Sequence, residues 1–183
     1  MVAAMARTLD PEAAAGEVLR LGTIASVDPA NGTCTVESGD LLTGDIPWIA
    51  QRAGKVRHWS PPSVGEQCLL VCPEGDLAAG LVLVGLYSDA CPPPSTDPNV
   101  TLIEYDDGAV IAYDQSTHAL TAVLPAGGTA RIEADGGISI KGDVTIEGRL
   151  TTTGDVTAGN ISLQNHLHDK VQTGNALSGK PQS

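Results

Sequence analysis

A six-residue rhythm in the C-terminal third constrains the fold more than any other feature of this sequence. From Ile138 onward, pairs of aliphatic or small residues two positions apart recur every six residues: Ile138/Ile140, Val144/Ile146, Leu150/Thr152 and Val156/Ala158. Residues at i and i+2 of an extended strand point to the same face, so each hexad presents one pair to one side. Small or turn-forming residues keep the same spacing and predict one corner per hexad: Gly142, Gly148, Gly154 and Asn160.

Strands this short, each with two inward side chains, cannot bury a core by themselves. Two architectures share the period. One is a single-chain left-handed hexapeptide solenoid, and the other is a β-helix in which three chains each supply one wall of a triangular prism. The solenoid needs three hexads per coil and many coils, and the few hexads present favour the prism. Ile161 and Leu163 break the even parity, so a corner or kink is expected before His166, at a position that the pattern does not locate.

The N-terminal half has a different pattern, typical of a small barrel. Leu21–Val27 alternates, meets the turn signal Asp28-Pro29-Ala30-Asn31-Gly32, and is followed by a return strand over Thr33–Glu37. Further strands are predicted over Glu66–Cys72 and Gly80–Tyr87. About five short strands in about 70 residues favour a Greek-key barrel of OB type.

These patterns predict an all-β chain of five parts. An N-terminal helical arm is predicted over 1–20, and its helix starts at Asp10-Pro11-Glu12. The arm precedes an OB-fold collar over 21–91. A Pro-rich linker over 92–98 leads to a β-helix stalk over 99–164, whose first strands are predicted over Val100–Tyr105, Ala109–Tyr113 and Ala119–Leu124. The apex is predicted over 165–183.

Charge and aromatic content limit the binding functions. The net charge of −12 disfavours nucleic acid, whose binders neutralise phosphates with Lys and Arg. A loop with Arg52, Lys55 and Arg57 between Trp48 and Trp59 is compatible with stacking on a glycan or a single-stranded nucleic acid. The acidic surroundings favour a solvated loop whose tryptophans cap the barrel.

The cysteines and the apolar runs give two further expectations. Cys68 and Cys72 share one strand face, which predicts buried reduced thiols rather than a disulfide framework. No apolar signal segment follows Met1, and the apolar run from Leu77 to Tyr87 is too short to cross a bilayer as a helix. We therefore expect a soluble protein made in the cytoplasm.

His166 and His168 are the candidate metal ligands. Because they lie at i and i+2, an extended backbone aims both imidazoles at one point, and imidazole binds zinc, copper, iron and nickel. Two ligands do not complete a site, and three copies around a threefold axis would supply six. Hydrolases with an H-x-H-x-D-H motif would need Asp at 170 and His at 171, where this chain has Lys170 and Val171. Two exposed histidines near a chain end are the remaining alternative.

Several segments resemble the phage baseplate assembly protein V family, which forms the central spike of contractile phage tails and related bacteriocins. The resemblance is carried by the hairpin from Gly22-Thr23-Ile24 to Asp28-Pro29 and by short motifs across the collar and the C-terminal tail: Pro47-Trp48, Arg52-Ala53-Gly54, Trp59-Ser60-Pro61, Val64-Gly65-Glu66, Gly75-Asp76-Leu77-Ala78, Gly85-Leu86-Tyr87-Ser88, Asn165 and Gly174–Pro181. It implies an OB-fold collar followed by an intertwined trimeric β-helix needle with a metal-bound apex. The implied ion is one iron per trimer, held octahedrally by six imidazoles from His166 and His168. With no open coordination position, the implied ion is structural rather than catalytic.

The function implied by this resemblance is mechanical and not enzymatic. The protein would be a homotrimeric tail spike at the tip of the virion baseplate, made in the host bacterial cytoplasm. It would contact baseplate hub proteins and pierce the host outer membrane when the sheath contracts. The alternative is an OB-fold glycan- or nucleic-acid-binding module displayed on a β-stalk.

Overall fold

The computed structural model describes residues 18–167 and Gly174. The chain divides into two units, Met1–Thr129 and Ala130–Ser183. The described part is almost entirely strand, turn and extended chain, with one 3-10 turn at Pro73–Gly75. Within that part, no helix is long and apolar enough to cross a bilayer.

Six strands of the first unit form one antiparallel sheet. They are β1 (Leu19–Asp28), β2 (Thr33–Ser38), β3 (Leu41–Leu42), β4 (Ile46–Pro47), β5 (Gln67–Val71) and β6 (Leu81–Leu86). The order is β3-β2-β1-β5-β6, and β4 also pairs with β2. A parallel bridge from Trp48 to Val82, with Ile49 N–H donating to the Val82 carbonyl at 2.8 Å, joins the end of β4 to β6. These contacts close the sheet into a small barrel.

The barrel core consists of the side chains that alternate inward along these strands. Ile24, Val36, Leu70 and Val82 are almost completely buried, together with Ile46 and three cysteines: Cys34, Cys68 and Cys72. Burial raises the pKa of the Cys68 thiol to about 11, so it stays protonated at neutral pH. The expectation that Cys68 and Cys72 are buried thiols is confirmed, while Cys91 is exposed.

The first hairpin follows from its turn sequence. Oδ1 of Asp28 accepts hydrogen bonds from the backbone N–H of Ala30 at 3.0 Å and of Asn31 at 3.3 Å, and Oδ2 accepts one from Asn31 Nδ2 at 2.6 Å. Gly32 then adopts a positive φ of 67°, which a glycine allows without a Cβ clash. The predicted hairpin is confirmed.

The first strand starts earlier than the sequence pattern indicates. β1 begins at Leu19 because Leu19 and Arg20 pair with Val71 and Leu70 of β5. These two residues, which the predicted helical arm includes, are therefore in the sheet. Val18 is also described, and its carbonyl accepts a hydrogen bond from the Cys72 N–H at 2.7 Å. Residues 1–17 of the predicted arm lie outside the described residues.

A second sheet follows the Pro-rich segment. It contains β7 (Val100–Glu104), β8 (Val110–Asp114) and β9 (Ala119–Val123), in that order and antiparallel. Its register places Ile103 opposite Ile111, and Tyr113 opposite Leu120. All four side chains lie on one face and are exposed. The three strands agree with the predicted ones to within one residue at each end.

The turn between β8 and β9 is held by the Asp114 carboxylate. It accepts hydrogen bonds from the side chains of Ser116 and Thr117 and from both of their backbone N–H groups. These bonds lower the pKa of Asp114 to about 2, with the Ser116 side chain as the largest cause. His118 ends the turn with a φ of 58° and is exposed, as expected for a loop residue.

The second unit contains two short strands, β10 (Thr157–Ala158) and β11 (Ile161–Ser162). Between Val123 and Thr157, all residues of which are described, the chain has no strand of its own. Gly142 and Gly148, one hexad apart, have φ values of 139° and 134°, which favour glycine. The hexad pattern therefore coincides with a regular backbone feature, although these residues form no ladder within one chain.

Candidate metal centre

His166 follows a tight hairpin. β10 and β11 pair antiparallel, with Thr157 opposite Ser162 and Ala158 opposite Ile161. Gly159, with a φ of 60°, lies in the turn, and the pairing is extended by the N–H of Leu163, which donates to the Val156 carbonyl at 2.8 Å. This hairpin is the change of direction that the broken parity before His166 predicts.

Asp155 and Ser162 fix the chain between the hairpin and the histidine. Oδ1 of Asp155 accepts a hydrogen bond from the Gln164 N–H at 3.0 Å, and Oγ of Ser162 accepts one from the Asn165 N–H at 2.9 Å. The pKa of the Asp155 carboxyl is lowered, first by its hydrogen bond with the Ser162 side chain and then by the Gln164 N–H. The ionised carboxylate therefore stabilises the turn that leads to His166.

The Ser162 carbonyl orients the imidazole of His166. This oxygen lies 3.1 Å from the His166 backbone N and 2.9 Å from its Nδ1. Because a carbonyl oxygen only accepts, Nδ1 carries the proton, and in the neutral ring Nε2 then carries the lone pair. Metal-binding histidines are commonly oriented by such a hydrogen bond from the non-ligating nitrogen to a carbonyl or carboxylate. The geometry of His166 therefore fits a metal ligand that binds through Nε2.

The second predicted ligand, His168, lies outside the described residues, so the convergence of the two imidazoles stays a prediction. Within residues 18–167 and Gly174, no three side chains of His, Cys, Asp or Glu gather as a metal-binding group.

The positioning roles of Asp155 and Ser162 were not predicted from the sequence. The available signal was local: a carboxylate and a hydroxyl flank the Gly159-Asn160 turn, and both side chains commonly accept hydrogen bonds from nearby backbone N–H groups. The hexad period marks the aliphatic positions and includes neither Asp155 nor Ser162.

The second group of candidate residues lies on the barrel. Trp48 is half-buried against the core, whereas Trp59 is 64% exposed, and their ring centroids are 5.6 Å apart at an interplanar angle of 52°. Arg52, Lys55 and Arg57 lie between them and are exposed. The structure thus brings the predicted aromatic and basic residues together in one loop, and Trp48 alone has the predicted capping position.

Comparison with known proteins identifies the family of the barrel. Residues 20–87 match the family described as the type VI secretion system/phage-baseplate injector OB domain. This match confirms the predicted OB fold of the barrel. The chain is also 38% identical over 122 residues to the protein named "Spike protein" of Escherichia phage P2. The aligned region covers 67% of this chain and 57% of the phage P2 protein.

The Asp155 carboxylate gives a testable pH dependence. Since its pKa is lowered in the folded chain, the stabilisation of the hairpin is complete above the ordinary aspartate pKa of about 3.9 and is lost as the pH falls through the lower folded value. We expect the amide resonance of Gln164 to follow this ionisation in an NMR titration of the intact protein. Asp155→Asn should abolish that titration, and the control Asp143→Asn should preserve it. A Gln164 amide that titrates unchanged in Asp155→Asn would contradict the assigned hydrogen bond.

Proposed function

Because the chain belongs to the phage baseplate spike family, we propose that it is the homotrimeric central spike of a contractile-tail baseplate. In this function it is a structural protein of the virion, located at the tip of the tail and made in the host bacterial cytoplasm. Sheath contraction drives it through the host outer membrane.

The observation that carries this proposal is that residues 130–156 have exposed aliphatic side chains and few backbone hydrogen bonds in one chain. Their hexad aliphatics are exposed in one chain: Ile138 59%, Ile140 70%, Val144 59%, Ile146 53% and Leu150 64%. Within the described part of the chain, one backbone–backbone hydrogen bond is formed along residues 130–154, from the Gly137 N–H to the Ala134 carbonyl. An extended segment with unpaired backbone groups and a regular aliphatic face has the properties of a strand that pairs with another chain.

Assembly of three copies would both pair the backbone groups of this segment and bury its aliphatic face. In a β-helix built from three chains, each extended segment pairs with its neighbours, and the two aliphatics of each hexad point to a shared interior. Each buried Ile, Leu or Val contributes about 1.5–3 kcal/mol. The exposed face of the second sheet, with Ile103, Ile111, Tyr113 and Leu120, would be covered by the same assembly.

The ion at the apex would join the three chain ends. His166 and His168 of each copy would supply six imidazoles, and the hydrogen bond from His166 Nδ1 to the Ser162 carbonyl supports binding through Nε2. Six nitrogen ligands in octahedral geometry suit iron better than zinc, which prefers four. The ion's contribution is to hold the three strands together at the end of the backbone ladder.

The barrel and the N-terminal arm would attach the spike to the baseplate hub proteins. A needle of continuous β-ladders, tied at its tip by a metal ion, transmits force without frayed ends at the leading surface. The role is mechanical and not enzymatic, which the name "Spike protein" of the phage P2 relative supports. Contact with the outer membrane is transient, and nucleic acid is not a partner.

The alternative function is a glycan- or nucleic-acid-binding OB module on a β-stalk. The exposed Trp59 beside a basic loop is the observation that favours it. The net charge of −12 opposes the nucleic-acid form of this alternative, because phosphates are repelled by the acidic surface.

The metal site makes a stoichiometric prediction. Light scattering of the purified protein should give the mass of three chains, and metal analysis should give one ion per trimer. His166→Ala and His168→Ala should each remove the ion, because three of six ligands are lost at once. The control His118→Ala, in the β8–β9 turn, should retain it. One ion per chain, or a chain that stays monomeric at micromolar concentration, would refute the shared site.

The shared interior makes a second prediction. Ile140 and its neighbour Ser139 point to opposite faces of an extended strand, and both are exposed in one chain. In a trimer, Ile140→Asp removes a buried aliphatic, at about 2–5 kcal/mol for each copy, and also buries a charge. We expect Ile140→Asp to abolish trimer assembly in light scattering and Ser139→Asp to leave it intact. Equal tolerance of both substitutions would contradict an interior position for Ile140.

A further inference from the structure

The basic charge of the first unit is concentrated in one loop. We define the cationic loop as residues 51–59, which lie between β4 and β5. Between Arg20 and Arg131, the only Lys and Arg residues in the sequence are Arg52, Lys55 and Arg57, and they lie among many Asp and Glu residues. Such a concentration on an acidic chain gives a local positive potential that attracts a partner of opposite charge.

Within residues 18–167, the charges of the cationic loop are not paired with carboxylates. Among the described residues, the ion pair that forms is Arg131 with Glu133, in the second unit. Arg52, Lys55 and Arg57 are exposed and have no carboxylate within salt-bridge distance in that part of the chain. They are therefore available for carboxylates of another molecule.

The cationic loop has a defined conformation. A β-bridge joins Ala53 to Arg57, and the Gly54 N–H donates to the Val56 carbonyl at 3.1 Å. The His58 N–H donates to the Arg52 carbonyl at 2.9 Å, and the His58 Nδ1 lies 2.8 Å from Gln51 Oε1. A loop that is already ordered loses less conformational entropy on binding.

Apolar side chains accompany the charges. Val56 lies between Lys55 and Arg57 and is 55% exposed, and Trp59, the last residue of the loop, is 64% exposed. The ring of Trp48, which packs against the barrel core, lies next to the ring of Trp59. Trp and Arg, both exposed here, are residue types that protein–protein interfaces enrich at their energetic centres.

From these observations we infer that the cationic loop is a docking surface for an acidic protein surface on another baseplate component. The complementary surface would present carboxylates to Arg52, Lys55 and Arg57 around an apolar patch that receives Val56 and Trp59. That the partner belongs to the baseplate depends on the proposed function. A protein partner is favoured over nucleic acid because a local carboxylate patch reaches the loop alone, whereas a polyanion would also meet the surrounding acidic barrel.

The test is charge reversal in the particle that encodes this chain, with the resident copy deleted and variants supplied in trans. R52E/K55E/R57E should reduce the amount of spike on purified tails by at least ~10-fold, since three attractions become repulsions. The matched control R52K/R57K keeps the charges and should retain most incorporation. Both purified variants should keep the oligomeric mass and metal content of the unsubstituted chain, so failure of the docking surface is distinguishable from failure of the trimeric spike.

Suppressor selection identifies the partner. Revertants of the single variant R57E should carry Asp or Glu changes to neutral or basic residues in another tail protein, and that result would support the inference. Suppressors among this chain's own carboxylates would overturn it in favour of an interface between copies. Normal incorporation of the triple variant would also overturn it. So would oligonucleotide binding by the unsubstituted protein that R52E/K55E/R57E abolishes.

Discussion

The chain's main physical constraint is that the backbone N–H and C=O groups of residues 130–156 have almost no partners among the described residues of one copy. Water can hydrogen-bond these groups, but water cannot cover the aliphatic face that recurs every six residues beside them. Leaving Ile138, Ile140, Val144, Ile146 and Leu150 exposed forfeits several kcal/mol of burial. A partner strand removes both deficits together, and for this reason we propose assembly rather than solvation of this segment.

The barrel pairs its strands and buries its aliphatic side chains within one chain. β1 is paired on both sides, by β2 and by β5, and its inward residue Ile24 is almost completely buried. The bridge from Trp48 to Val82 closes the remaining gap between β4 and β6. The first unit thus contains a barrel with its own core, whereas the second unit presents its aliphatics outward. This difference between the two units supports a division of roles, in which the barrel attaches and the downstream segment assembles.

Local patterns predicted β1, β2, β5 and β6, because each is an apolar or alternating run bounded by turn-forming residues. No strand was predicted for β3 and β4, which are two residues long each. The hairpin at Asp28 and the turn at Asp114 are both held by an Asp carboxylate that accepts from residues just after it, a signal contained in a few consecutive letters. The start of β1 at Leu19 was missed because it depends on pairing with β5, about 50 residues away. Long-range pairing of this kind leaves no mark on the local sequence.

The sequence predicted the type of ligand at the candidate site but not the hydrogen bonds and the hairpin that position it. The spacing of His166 and His168 suggested a metal, yet the hairpin at Gly159 and the carbonyl of Ser162 that orients the His166 ring depend on tertiary geometry. The hexad period indicated the face that must be covered, but the identity of the covering chains is a property of the assembly rather than of one sequence window.

Hydrogen exchange of the backbone amides over residues 138–152 of the intact protein tests the central claim most directly. If these residues form ladders between chains, their amides should exchange at least about 1,000-fold more slowly than those of an unstructured peptide, because exchange then requires opening of the assembly. Exchange at the unstructured rate over this whole segment, in protein whose barrel amides remain protected, would contradict the account.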